Sequence, residues 1–414
     1  MTVFISFIGK GKTDERGQFK YERVNYSFKN SSVETSCFAN AVMRSGEFSF
    51  DRVRIIGTVS SSWDQLLEDP SAEEEDLYLE LDKASPEKLT ALRPALTDAL
   101  KKRWNVVDVD LLIHPAELTG NEDRILESYL DLMLANTGDI VLDVTHSFRW
   151  MPQFLASAME LADAFSNPRS VQILYGELST DKKSCPVRIL DPLWDARKLA
   201  MDVRMFFEKW EAEPLALRLE PVWPSGAKAL RNLGNHLQGN YLVPLVWDKD
   251  GKETGKPLLA LRNALNDFRK IENPPFWVKR IVAQLKRLLE KITAPATHSE
   301  QLLTLAELYA ERRIYGQALL CQEIALRIFL WEQKGNTGYP TWEDVKDLIK
   351  DFYEPEWKDY QTKKSISDNR NNVAHGALQS PEGTGGSCIP YAGNLPSQFE
   401  RQQEYLKRLF GGKS

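Results

Sequence analysis

The stretch Gly138-Asp139-Ile140-Val141-Leu142-Asp143-Val144-Thr145-His146-Ser147-Phe148-Arg149-Trp150-Met151-Pro152 limits the possible folds more than any other part of the chain. Ile140 to Val144 is a short apolar run rich in β-branched residues, as in a buried strand of a parallel sheet. Thr145, His146, Ser147 and Arg149 follow at once, and Met151 to Phe165 then takes up helical spacing with Phe154, Leu155, Met159, Leu161 and Ala162. A strand ends, donors and a cation gather at its tip, and a helix begins. In an open α/β sheet that place is where phosphate-bearing ligands bind, beyond the carboxyl ends of the strands and at a helix N-terminus. A plainer reading covers each residue singly: Asp143 and Thr145 as helix caps, His146 as a core histidine, Arg149 as a surface charge. Their concentration between positions 143 and 149 favours a site.

Two other strand tips carry similar chemistry. Val3 to Ile8 reads as a first strand, and Gly9-Lys10-Gly11-Lys12-Thr13 as the loop at its end. There two glycines let the backbone approach a ligand while Lys10 or Lys12 supplies charge. The spacing is not that of a Walker A loop. Val53 to Ile56 is a second strand, tipped by Gly57-Thr58-Val59-Ser60-Ser61-Ser62-Trp63-Asp64. Thr58 and Ser60 can hold phosphate and Trp63 can stack a base; equally, the segment is a helix cap followed by a core tryptophan. Further strands are expected at Val106 to Ile113, Ser170 to Gly176 and Val187 to Leu190. Helices fall between them at Ser32 to Met43, Pro86 to Trp104 and Glu122 to Ala135. That alternation predicts a doubly wound, Rossmann-like α/β domain over residues 1–195.

Pro192 to Trp210 reads as a helix leaving the sheet, and Pro214, Pro221, Pro224, Ser225 and Gly226 mark a linker, so residues 196–226 are expected to connect two domains. Residues 227–414 carry helical periodicity almost throughout, with Tyr315 to Trp331 as the central helix of a bundle. With 414 residues, 42% of them hydrophobic, the chain is long enough for two cores. Its net charge of -6 excludes a protein that coats nucleic acid by bulk attraction. The four cysteines are dispersed, which points to neither a zinc site nor a disulfide framework. No basic region precedes the N-terminal apolar run, and no window is long enough to span a bilayer. A soluble, cytoplasmic protein without a membrane partner is expected.

In the C-terminal half, Arg370-Asn371-Asn372-Val373-Ala374-His375-Gly376 places a guanidinium five positions before an imidazole. Arginine clamps phosphate and opposes charge that builds on phosphorus. Histidine shuttles protons near neutral pH. RNA brings its own nucleophile, the ribose 2′-hydroxyl, so such a pair needs no metal. On one helix the two side chains point roughly 140° apart, so a single protomer does not close the site between them. The spacing recurs in Arg231-Asn232-Leu233-Gly234-Asn235-His236, where the glycine weakens the helix.

These residues carry two resemblances. Asp143-x-Thr145-His146-Ser147-x-Arg149 resembles the Asp-x-Thr-His-Gly-x-Arg signature of CARF domains in CRISPR-associated type III accessory nucleases, with Ser147 where glycine is common. Arg370-Asn371-x-x-Ala374-His375-Gly376 is similar to the catalytic motif of HEPN ribonucleases. The first implies a cyclic oligoadenylate activator held by Gly9, Lys10, Thr58, Ser60, Thr145, His146, Ser147 and Arg149. The second implies single-stranded RNA as substrate, Arg370, Asn371 and His375 as catalytic residues, no cofactor or metal, and a homodimer or higher oligomer that faces two Arg and His pairs across a two-fold axis. A reading from another class is a non-catalytic sensor that passes nucleotide binding to a partner protein.

Overall fold

The computed structural model describes residues 1–13, 19–136, 138–165, 170–180, 183–248, 254–336, 338–346, 348 and 395–411. The chain divides into two compact units, Met1–Arg197 and Lys198–Ser414. In the first, the apolar runs become β1 (Thr2–Phe7), the short pair β2 (Lys12–Thr13) and β3 (Phe19–Lys20), β4 (Val24–Ser27), β5 (Ser32–Thr35), β6 (Arg52–Thr58), β7 (Asp108–His114), β8 (Asp139–Asp143), β9 (Val171–Gly176) and β10 (Ser184–Ile189). Their helices are α1 (Phe38–Ser45), α2 (Glu75–Asp82), α3 (Pro86–Trp104), α4 (Glu122–Ala135), α5 (Trp150–Phe165) and the start of α6 (Asp191–Lys209).

The main sheet runs β5-β4-β10-β9-β8-β1-β6-β7. β9, β8, β1, β6 and β7 are mutually parallel, whereas β10 pairs antiparallel with β9 and carries the β4–β5 hairpin beyond it. From β1 the chain moves outward through β6 to β7, then returns to lay β8 and β9 on the other side of β1. The strand order therefore reverses between β1 and β8, the crevice where open α/β sheets bind ligands. Alternation decides which face each residue fills. Phe4, Ile8, Val53 and Val141 pack with α1 and α3, whereas Val3, Ile5, Phe7, Ile140 and Leu142 pack with α4 and α5. Helices on both faces explain why β8 reads as one continuous apolar run.

One expected helix is partly a strand. Ser32 to Thr35 alternate exposed and buried as β5, and helix starts only at Phe38. The buried Glu68 carboxylate explains the break, because it accepts hydrogen bonds from the Thr35 hydroxyl and from the Ser36 amide and hydroxyl.

The second unit is helical among its described residues, with α7 (Glu213–Leu219), α8 (Pro224–Gln238), α9 (Leu242–Val246), α10 (Lys256–Phe268), α11 (Phe276–Thr293), α12 (His298–Glu311), α13 (Tyr315–Gln333), α14 (Trp342–Lys346) and α15 (Leu395–Gly411). The expected linker is instead α7 and the start of α8. Leu215, Leu219 and Trp223 are buried in this unit's core, and Pro214 and Pro224 stand in helix first turns, where the missing amide is harmless. α13 is central: Ala318, Leu319, Ala325, Leu326 and Ile328 are buried, and Gln322 donates to Phe399 O and Gln403 Oε1 of α15 at 3.1 and 2.8 Å. No helix among the described residues is long and apolar enough to cross a membrane.

Candidate functional site

Asp143 closes β8 and sits at 0% exposure between the two strands of the switch point. Its Oδ2 accepts the Ser6 hydroxyl of β1 at 2.5 Å, and its Oδ1 accepts the Thr145 amide at 2.7 Å. Burial pushes this carboxyl up to about 6, against the pull of those hydrogen bonds. Asp143 thus clamps the tip of β8 to β1 and turns the chain toward α5. The Thr145 hydroxyl accepts the Gly176 amide at 2.8 Å, which fixes the same tip to the end of β9. Both groups work inside the scaffold, each tied to a neighbouring strand and Asp143 also to the backbone that follows it.

His146 is held between two tyrosines of the N-terminal segment. Its Nε2 lies 2.9 Å from the Tyr26 hydroxyl, and its ring lies 4.4 Å from that of Tyr21. Burial lowers its pKa to about 4, so the ring is neutral near pH 7. Tyr21 reaches on to the loop after β1, where its hydroxyl accepts the Gly9 amide at 2.9 Å. The two expected tips do converge: a methyl group on Gly9 would stand 3.2 Å from that hydroxyl and 3.5 Å from the carbonyl carbon of Ser147. A phosphate oxygen seeking the Gly9 amide must therefore displace Tyr21. The charge at this crevice comes from elsewhere. Lys10 is exposed beside Gly9, and Arg149 is exposed immediately before the 16-residue helix α5, with no ion pair to any described residue. A free guanidinium at the positive end of a helix dipole suits a phosphate.

The third tip contributes differently. Thr58 is at 0% exposure, its Oγ1 lies 3.0 Å from Ser60 Oγ, and the Ser61 hydroxyl donates to Ile8 O at 2.7 Å. Trp63 is 1% exposed and donates its indole N–H to Thr58 O at 2.8 Å. It belongs to the core and presents no face for a base, so the cap-and-core reading holds for Trp63. Gly57 is required there, because a methyl group would approach Trp63 to 2.6 Å and Ile8 to 2.7 Å. Ser6, Tyr21 and Tyr26 were not singled out in the sequence. Tyr26 alternates inward on β4, a signal that was legible; Tyr21 precedes the strand and carries none.

In the second unit the candidates Arg370, Asn371 and His375 lie outside the described residues. The other copy of the spacing is described. The Arg231 guanidinium is taken by Glu213 and Glu220, each within 2.9 Å. His236 Nδ1 lies 2.8 Å from Asn232 O, a carbonyl of its own helix. The guanidinium and the imidazole are each occupied, and no contact joins them.

The family model described as the CARF domain of the CRISPR system endoribonuclease Csx1 matches residues 3–176, from β1 to the end of β9. The chain is also 24% identical, over 91% of its length, to the CRISPR-associated protein MJ1674 of Methanocaldococcus jannaschii. It spans about 62% of the length of that relative. The N-terminal unit is thus similar to a CARF domain; the helical unit falls outside the matched segment.

Proposed function

We propose that this chain is a cyclic oligoadenylate-activated, metal-independent endoribonuclease of type III CRISPR defence. The observation that carries the reading is the meeting of the Gly9 and Ser147 tips at the β1–β8 reversal, with Arg149, which has no ion pair to any described residue, at the head of α5. That constellation falls within the segment matching a CARF domain, and the matching model's description names an endoribonuclease.

In this reading Arg149 and Lys10 take phosphates of the activator, and His146 and Ser147 line the crevice. Displacement of Tyr21 from the Gly9 amide is part of binding. In the second unit Arg370 opposes the charge on the scissile phosphate while His375 shuttles the proton of the attacking 2′-hydroxyl, with Asn371 beside them. Two chains bring two such pairs together across a two-fold axis. Activator binding favours the arrangement in which those pairs reach cutting geometry, a population shift.

The test incubates purified protein with end-labelled single-stranded RNA alone, with cyclic tetra-adenylate and with cyclic hexa-adenylate. Cleavage with one of the rings, leaving 2′,3′-cyclic phosphate ends without added metal, is expected. Absence of cleavage under every condition would leave the sensor reading in its place.

A further inference from the structure

The outward face of α11 is basic although the whole chain carries a formal charge of -6. This helix turns Val278, Ile281, Leu285, Leu288, Leu289 and Ile292 into the core of the second unit. The residues left outside include Lys279, Arg280, Lys286 and Arg287, all exposed. A separation of seven positions sets the two cationic pairs on one stripe, about 10 Å apart along the axis. Phe276, at the head of the same helix, is 80% exposed.

Among the described residues one carboxylate answers this stripe, and it meets Lys286 alone. Glu290 lies 3.8 Å from Lys286, and Glu311 is occupied by Lys291 at 2.7 Å. Glu272, in the preceding turn, is exposed, and Arg269 beside it adds a further exposed cation. Lys279, Arg280 and Arg287 make no ion pair with any described residue. The first turn of α11 contains no acidic residue, so Lys279 and Arg280 stand near the end where the helix dipole itself is positive. Like charges gathered there destabilise the free helix, and an anion relieves them.

We propose that this face of α11 is a docking surface for single-stranded RNA, with Lys279, Arg280, Lys286 and Arg287 on successive backbone phosphates and Phe276 stacking a base. Cations that track a backbone beside an exposed aromatic are how single strands are held without sequence preference. An anionic membrane is the poorer fit, because an interfacial helix must bury its apolar face in lipid and that of α11 is already in the core. The inference rests on the ribonuclease reading only in its choice of RNA among polyanions.

The experiment uses the full chain carrying His375→Ala, so that bound RNA persists, and follows anisotropy of an unstructured fluorescent RNA across a salt series. Against this parent, the combined change Lys279→Gln, Arg280→Gln, Lys286→Gln and Arg287→Gln is expected to weaken binding about 10-fold or more near 0.1 M salt. It should also lower the magnitude of the slope of log K against log salt by about 3, at roughly 0.7 per lost phosphate contact. Phe276→Ala should weaken binding about 5-fold with the slope unchanged. Exchanging Lys for Arg and Arg for Lys at the four sites should restore both. Equal affinity and slope in parent and Gln variant, at equal melting temperature, would overturn the proposal. So would binding of the parent to phosphatidylserine vesicles without binding of RNA. The parent reading fails separately: if the chain with His375 intact cuts nothing while the slope difference stands, the surface survives and the ribonuclease does not.

Discussion

Two stretches of this chain carry motif-like polar residues, and the fold treats them in opposite ways. Thr145 to Arg149 stands at a reversal of strand order, where a methyl group on Gly9 would touch Ser147 and Arg149 has no ion pair to any described residue. Arg231 to His236 stands on the side of α8, where two glutamates occupy the arginine and the helix's own backbone occupies the histidine. Spacing alone does not separate them. What separates them is whether the topology brings unrelated segments together around unsatisfied groups.

The largest expected effect breaks that comparison or secures it. His375→Ala should cut the RNA cleavage rate by about 10²- to 10⁴-fold, the usual contribution of a positioned proton-transfer group. His236→Ala should leave it within about 2-fold, since its imidazole already serves α8. Reversed outcomes in the same assay would move the catalytic centre to the first copy.

The next sharpens the strand-tip side. Arg149→Ala should weaken binding of the cyclic oligoadenylate by roughly 10- to 100-fold in calorimetric titration, as expected for one charge-assisted hydrogen-bonding group. Arg231→Ala should leave the same titration unchanged.

Gly234 supplies a smaller effect. It lies inside the rival copy, and a methyl group there would meet the Ala212 side chain at 2.5 Å and Trp210 O at 2.9 Å. Gly234→Ala should therefore cost about 1–3 kcal/mol of stability by overpacking, read from denaturant unfolding, with cleavage per folded molecule unaltered. An unchanged unfolding midpoint would remove the packing explanation for that glycine.

The smallest effect is in pH. Burial holds His114 and His146 down at about 4, so between about 4 and 6.5 the unfolded chain binds more protons at these two groups and stability rises with pH. Asp143, raised to about 6, acts in the opposite sense: its contribution is full below about 4 and lost as pH rises through 6. Two histidines outweigh one carboxyl, so the first unit's melting temperature should rise from pH 4 to 6.5, and less steeply in His114→Phe. A fall over that range would mean that Asp143 dominates.

Local signals in the sequence were legible where local chemistry decides. α3 and α4 begin and end where their periodicity places them; Ser85 caps α3 with Pro86 in its first turn, and Asn105 ends it at φ 51°. Prolines misled where position within the turn matters, since Pro214 and Pro224 start helices that composition reads as a linker. Ser32 to Thr35 became a strand because β4 pairs with it and Glu68 satisfies its end, partners that no local window contains. The same holds at the site. Thr145 and His146 were visible as a cluster, but their partners Gly176 and Tyr26 lie 31 and 120 positions away, and Ser6 lies 137 from Asp143. Those contacts turn Thr145 into an anchor and His146 into a neutral wall, and they leave Arg149 as the residue most open to an anion.

The central claim is that an anion caught at the β1–β8 reversal switches on RNA cleavage in the helical unit. It is tested most directly by measuring the RNA cleavage rate as a function of cyclic oligoadenylate concentration for the unaltered chain and for Arg149→Ala. The account predicts a saturable rise in both, with half-saturation displaced to roughly 10- to 100-fold higher activator in the variant and the same plateau. Superimposable curves, or rates indifferent to the activator, would contradict it.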